Sequence, residues 1–157
     1  MKLGLNGLNL IKSFEGLELT AYNDSRRPPI PTIGYGHTKT VTRADVGRKT
    51  ITEAQAQALL ALDTADAQNA VNRYVKVPVS QNMFDALVSF TFNLGSGALA
   101  GSTLLKLLNA GNYAGAAAQF PRWNKEMKNG VLTESKGLTR RRNAEMQLFL
   151  TRSEEHT

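Results

Sequence analysis

Cysteine is absent from this 157-residue chain, and its absence removes three possibilities together. No disulfide staples the fold, no thiolate attacks a substrate, and no zinc ion is held by sulfur. Histidine is almost as scarce, with only His37 and His156 present. A catalytic zinc takes three protein ligands, usually with histidine among them. With one histidine in the penultimate position, no metal site and no cofactor are expected. Tryptophan occurs once, as Trp123, a residue type more often packed in a core than offered to a sugar. Proline is rare, yet Pro28, Pro29 and Pro31 crowd together, which forbids helix between Asp24 and Thr32. No apolar run approaches the roughly 18 residues that span a bilayer. The opening stretch is broken by Asn6, Asn9 and Lys12 and lacks the uninterrupted apolar core of an export signal. Synthesis as a soluble protein in a cytoplasm is the expectation.

What remains is an ordinary globular composition, 41% hydrophobic and 20% charged. The length suits one domain, or two lobes sharing a long element. Charge is lopsided: 19 Lys and Arg stand against 13 Asp and Glu, a net +6. Anionic partners follow, whether nucleic acid, lipid or an acidic wall polymer, without a choice among them.

Leu3, Leu10, Ile11 and Phe14 gather on one side of a helix over 3–15, and Glu15 falls at the edge of that apolar stripe. Residues 17–50 are rich in strand formers punctuated by glycine, which predicts a small antiparallel sheet with irregular turns. Thr52-Glu53-Ala54-Gln55 has the capping-box form and opens a long Ala-rich helix to about Tyr74. Ser80 caps a helix that Gly95 stops. A Leu-rich segment runs from Ala98 to Asn109, Asn112 starts a short helix to about Phe120, and 129–137 reads as a loop or short hairpin. A final helix covers about 138–151, with a frayed tail from Ser153. The fold class is α+β, predominantly α. A β-containing lobe (about 15–52) is joined by a connecting helix (about 53–75) to a helical lobe (about 76–151) on which residues 1–14 pack. Clefts form at such junctions.

Three polar groups then stand out within one short stretch. Glu15 ends a helix beside apolar side chains, an environment that disfavours its charged form. Asp24 sits in a polar turn that preserves its charge, and Thr32 begins the run Thr-Ile-Gly-Tyr-Gly-His. Glycoside hydrolysis needs one protonated carboxyl near the leaving oxygen and a second, ionised one elsewhere. Each residue also has an ordinary employment, as a solvated helix end, a turn former and a strand residue.

The sequence resembles the phage lysozymes of glycoside hydrolase family 24. The resemblance lies in Phe14-Glu15-Gly16-Leu17, Ala21-Tyr22-Asn23-Asp24 and Thr32-Ile33-Gly34-Tyr35-Gly36-His37-Thr38, and continues through Gln81-Asn82-Met83-Phe84-Asp85-Ala86-Leu87-Val88-Ser89-Phe90. It returns in Phe92-Asn93-Leu94-Gly95, Arg122-Trp123-Asn124-Lys125 and Gly137-Leu138-Thr139-Arg140-Arg141-Arg142 with Glu145. It covers about 5–150. The resemblance implies a lysozyme-like fold and an inverting muramidase that cuts the β-1,4 bond between N-acetylmuramic acid and N-acetylglucosamine. Glu15 would be the general acid, Asp24 the carboxylate that orients water, and Thr32 its partner. One departure bears on the placement of Asp24 relative to Thr32: the loop Ser25-Arg26-Arg27-Pro28-Pro29-Ile30-Pro31 is longer than the family usually carries.

By the same resemblance, His37 is either a cleft residue supporting Glu15 or a structural histidine of the sheet. Arg141 or Arg142 is a candidate to pair with Glu15. The implied partner is peptidoglycan, with no nucleic acid, no obligatory membrane binding, and a monomeric state. The implied setting is the host cytoplasm, until a membrane lesion from a holin gives access to the wall. Gly34-x-Gly36 lacks the third glycine and following helix of a nucleotide loop. Three rival readings stand beside this one. A lytic transglycosylase needs only one catalytic Glu. A helix-turn-helix over Ser80–Gly111 has Lys106 as its only cation, poor for phosphate. A basic membrane-active helix over 136–152 needs an apolar face that a core would otherwise claim.

Overall fold

Glycine at positions 4 and 7 weakens the first helix on propensity grounds, and the computed structural model, which describes residues 1–153, shows why both are there. The Gly4 and Gly7 amides donate to the two carboxylate oxygens of Asp85 at 2.9 and 3.0 Å. Asp85 is fully buried on a later helix, so its charge must be met by donors, and Gln81 adds a third at 2.8 Å. A Cβ at position 7 would lie 2.6 Å from the Asp85 Cβ. Glycine therefore admits the carboxylate to the start of α1 (Leu5–Glu15).

The chain divides into two units, Ile11–Ala65 and Met1–Leu10 with Asp66–Thr157. This differs from the expected lobe of 15–52 and connecting helix of 53–75. Two helices replace the single long one: α2 (Glu53–Asp63) and α3 (Ala65–Tyr74). The interruption is Thr64, fully buried, whose hydroxyl donates to the Ala61 carbonyl at 2.9 Å. Such back-bonding competes with the helix ladder, and periodicity alone does not report it.

In the Ile11–Ala65 unit, β1 (Glu18–Asn23) pairs antiparallel with β2 (Pro31–Gly34), with Tyr22 opposite Thr32 and an irregularity between Glu18 and Tyr22. The other edge of β1 is met by the segment 47–51, through Ala21 N to Lys49 O (2.9 Å) and Ile51 N to Leu19 O (2.9 Å). Ala21, Ile33 and Val41 form the buried centre, with Ile51 and Leu59 packed against it. Because side chains alternate along a strand, burying Ala21 turns Tyr22 to the opposite face of β1.

The second unit is helical. It contains α4 (Gln81–Leu94), α5 (Ser96–Ala100), α6 (Thr103–Asn109), α7 (Tyr113–Gln119) and α8 (Lys136–Leu150). The Leu-rich segment is two helices because Ser102 caps the second through the Leu105 amide at 3.0 Å. Between α7 and α8, β3 (Lys125–Lys128) and β4 (Val131–Glu134) form the hairpin, turning on Asn129 and Gly130, both with positive φ. Phe90 packs edge-on to Phe120 (5.6 Å) and to Trp123 (5.4 Å), which makes the single tryptophan part of the aromatic core. Helix α8 buries Phe149 with Arg141, Arg142 and Glu145, while Leu138, Met146 and Leu148 are half-buried and Leu150 is exposed. Among the described residues no helix is long and apolar enough to cross a membrane. Ser153 is not frayed: its hydroxyl accepts from the Asn82 amide at 2.9 Å. The rest of the expected tail, His156 included, lies outside the described residues.

Candidate active site

Glu15, Asp24, Thr32 and His37 all fall in the Ile11–Ala65 unit. Glu15 is the last residue of α1 and half-buried. Gly16 ends the helix directly after it in the left-handed region, at φ 72°, so the chain leaves the helix axis immediately beyond the carboxylate.

Asp24 and Thr32 are both tied to the backbone of one residue, Ile30. The Ile30 amide donates to Asp24 Oδ1 at 2.8 Å. Its carbonyl accepts from the Asp24 amide at 3.1 Å and from the Thr32 hydroxyl at 2.8 Å. The long loop does not separate the two residues, because both are tied to its last turn. Asp24 Oδ1 also accepts from the Arg26 amide at 3.0 Å, and Oδ2 pairs with the Arg26 guanidinium. Three donors leave part of a carboxylate's capacity of about four. Thr32, 2% exposed, commits its hydrogen to Ile30, so toward any further neighbour its oxygen can only accept.

Partial loss of solvent pushes the Asp24 carboxyl upward, but the Ile30 amide and the amide and guanidinium of Arg26 outweigh it and hold it below its ordinary 3.8. The sign for pH follows. A depressed carboxylate contributes its loop-holding bonds above its unfolded value and loses them as pH falls through the lowered folded one. In an NMR titration, the Arg26 and Ile30 amide shifts should move with a midpoint below pH 3.8. A midpoint above that value would refute the assignment.

Tyr22, opposite Thr32 in the sheet, is a neighbour of these residues that sequence reasoning did not single out. Burial first, then the negative charges of Glu18, Asp24 and Glu15, push its phenol upward. Three carboxylates therefore act on one hydroxyl. The available signal was its place opposite Thr32 and two residues before Asp24.

His37 is 4% exposed. Its Nδ1 lies 2.8 Å from Asp63 Oδ2, and its Nε2 lies 2.7 Å from the Thr40 hydroxyl. The Thr40 amide donates to Nε2 at 3.3 Å, which makes Nε2 the acceptor and leaves Nδ1–H to donate to Asp63. Of the two employments the sequence offered, these bonds belong to the structural one. Asp63, the end of α2, carried no signal as its partner.

In the other unit, Glu145 is fully buried. Ser89 donates to its Oε2 at 2.6 Å, Arg142 Nη2 at 3.0 Å and Arg141 Nε at 3.3 Å. Arg142 Nε stands 2.7 Å from Oε1, an ion pair without hydrogen-bond alignment. Arg142 also donates to Asn93 Oδ1 at 2.8 Å and to the Trp123 carbonyl at 3.5 Å, and stacks over Phe90. Arg142 is thus a cation held in the core of its own unit. Burial pushes Glu145 up against the pull of Arg142, Ser89 and Arg141, and pushes Arg142 down against that of Glu145. Arg141 is buried and also reaches the Ser89 carbonyl at 3.4 Å. Among the described residues no three His, Asp or Glu side chains are grouped to hold a metal.

Comparison with known proteins adds an independent finding. A family model described as Phage lysozyme matches residues 12–145. An endolysin of Acyrthosiphon pisum secondary endosymbiont phage 1 is 46% identical over 149 residues, covering 95% of this chain and 98% of that protein. Among solved structures, an endolysin from Escherichia coli O157:H7 phage FAHEc1 has a TM-score of 0.87 at 45% identity, covering 96% of this chain and 94% of that one. The muramidase domain of SpmX from Asticaccaulis excentricus has a TM-score of 0.87 at 39% identity, covering 96% and 99%.

Proposed function

The chain belongs to the phage lysozyme family, lytic enzymes that degrade peptidoglycan, and from that premise we propose the bond it cuts and the residues that cut it. The bond is the β-1,4 link between N-acetylmuramic acid and N-acetylglucosamine, broken with inversion. Glu15 protonates the departing sugar oxygen, while Asp24 and Thr32 hold the attacking water on the opposite side.

The observation that carries this reading is the shared tie of Asp24 and Thr32 to the backbone of Ile30. It offers water two acceptors: a carboxylate held ionised and a hydroxyl oxygen whose hydrogen is already committed. A water donating one hydrogen to each turns its lone pair outward, as nucleophilic attack requires. Asp24 then takes the proton as the new C–O bond forms.

Digestion of purified peptidoglycan tests the reaction. Products should carry reducing muramic ends, released initially as the α-anomer. Anhydro ends would instead mean that the muramic acid hydroxyl closes on itself and no water is placed, as in a transglycosylase. Asp24→Ala should lower the rate about 100-fold, the low end of what acid–base groups supply; wild-type rate would mean another group handles water.

In this reading the enzyme acts as a monomer on peptidoglycan, without nucleic acid. It accumulates in the host cytoplasm and gains the wall through a lesion made by a separate membrane protein of the holin kind.

A further inference from the structure

The turn after β2 sets a residue without a side chain close to the carboxylate of Glu15. An ideal Cβ built on Gly36 would lie 3.2 Å from Glu15 Oε1, with no other described heavy atom within 4 Å beyond the adjacent residues. We propose that Gly36 is a positioning residue for the proton donor: lacking a Cβ, it leaves Glu15 Oε1 the position that a side chain there would crowd. This rests on Glu15 being the general acid.

Glycine at position 36 has one obvious explanation, its φ of 80°, a region that side chains rarely adopt. Gly47, in the same unit, shows that φ is not the whole account. Its φ is 77°, and a Cβ there would meet nothing within 4 Å. The two positions carry the same backbone demand, and only one faces a carboxylate.

What would yield on adding a methyl group at position 36 is decided by what holds the turn. Ile33 and His37 exchange both backbone hydrogen bonds, each at 2.9 Å, which closes the turn at its base. His37 is in turn anchored to Asp63 and Thr40. The backbone at 36 is therefore pinned on the far side of the turn, and what an added methyl group meets is the end of a side chain. A separation of 3.2 Å is tighter than ordinary van der Waals contact, so the carboxylate must move by a few tenths of an ångström. A misplacement of about 1 Å costs roughly 100-fold, and catalytic groups work within about 0.5 Å of their productive geometry.

The test compares wild type, Gly36→Ala, Gly47→Ala and Glu15→Gln on purified peptidoglycan, with kcat, KM and Tm measured for each. Gly36→Ala should lower kcat about tenfold with KM unchanged. Its fall in Tm should match that of Gly47→Ala, whose kcat stays at the wild-type value. If Gly36→Ala fails to fold, Gly36→Asn supplies the same Cβ on a residue that tolerates positive φ, and the same kcat loss is expected. Equal kcat for the variants at 36 and 47 would overturn the inference. So would a raised KM at unchanged kcat, which would assign the open face of Gly36 to the substrate. A Glu15→Gln enzyme of wild-type rate sinks the reading of Glu15 itself, and with it this inference; an inactive Glu15→Gln beside a fully active Gly36→Ala sinks the inference alone.

Discussion

Glu15→Gln should abolish clearing of purified peptidoglycan while the protein folds as before. The amide keeps the length and shape of the side chain at the end of α1, so packing in the surrounding unit is undisturbed. What it lacks is an acidic proton. A positioned general acid contributes roughly 10²–10⁴ in rate, about 3–5.5 kcal/mol of barrier, and a glycosidic oxygen is too poor a leaving group to depart unprotonated. We expect a loss of at least about 100-fold in kcat, with Tm within a degree or two and wall binding retained in a sedimentation assay. Loss of binding alongside activity would mean that residue 15 holds substrate rather than protonates it. Clearing at the wild-type rate would end the assignment.

The second large effect concerns stability and lies in the other unit. Glu145→Ala should lower stability by about 3–5 kcal/mol, the usual result of removing one partner from a buried ion pair. In a chain of this size that is a fall of roughly 6–20 °C in Tm. Glu145 is wholly buried and meets two guanidiniums and the Ser89 hydroxyl. Without it, Arg142, itself fully buried over the Phe90 ring, keeps its charge with one neutral amide and one carbonyl for partners. The control is removal of both charges: Glu145→Leu with Arg142→Met should recover much of the loss, because apolar replacement of a whole buried pair is commonly neutral or better. If Glu145→Ala alone melts within about 2 °C of wild type, the cluster does not carry the weight its burial implies.

The parts of the fold that the residues announced are those whose physics is local. Thr52, Ser80 and Asn112 begin helices where the sequence placed them, since a cap reaches an amide three residues on. Proline at 28, 29 and 31 kept helix out of the loop. The motif around Glu15, Asp24 and Thr32 pointed to a carboxylate pair and its partner, and all three side chains lie in one unit. The extra loop residues raised a question about Asp24 that the sequence could not answer. The answer lay in two backbone atoms of Ile30, which no side-chain pattern encodes. Thr64 was missed as a helix break because its bond to Ala61 depends on its buried surroundings rather than on period.

By itself, then, the sequence determined the family and named a candidate acid, because residue identities and short spacings are all that caps, turns and a family motif require. The tertiary structure decided which charges are spent on the fold. His37 reaches Asp63 across 26 residues, Ser89 reaches Glu145 across 56, and Arg142 reaches Asn93 across 49. Such pairings are chosen by the cost of leaving a buried charge unmet, and burial is a property of the packed chain that no stretch of residues possesses alone.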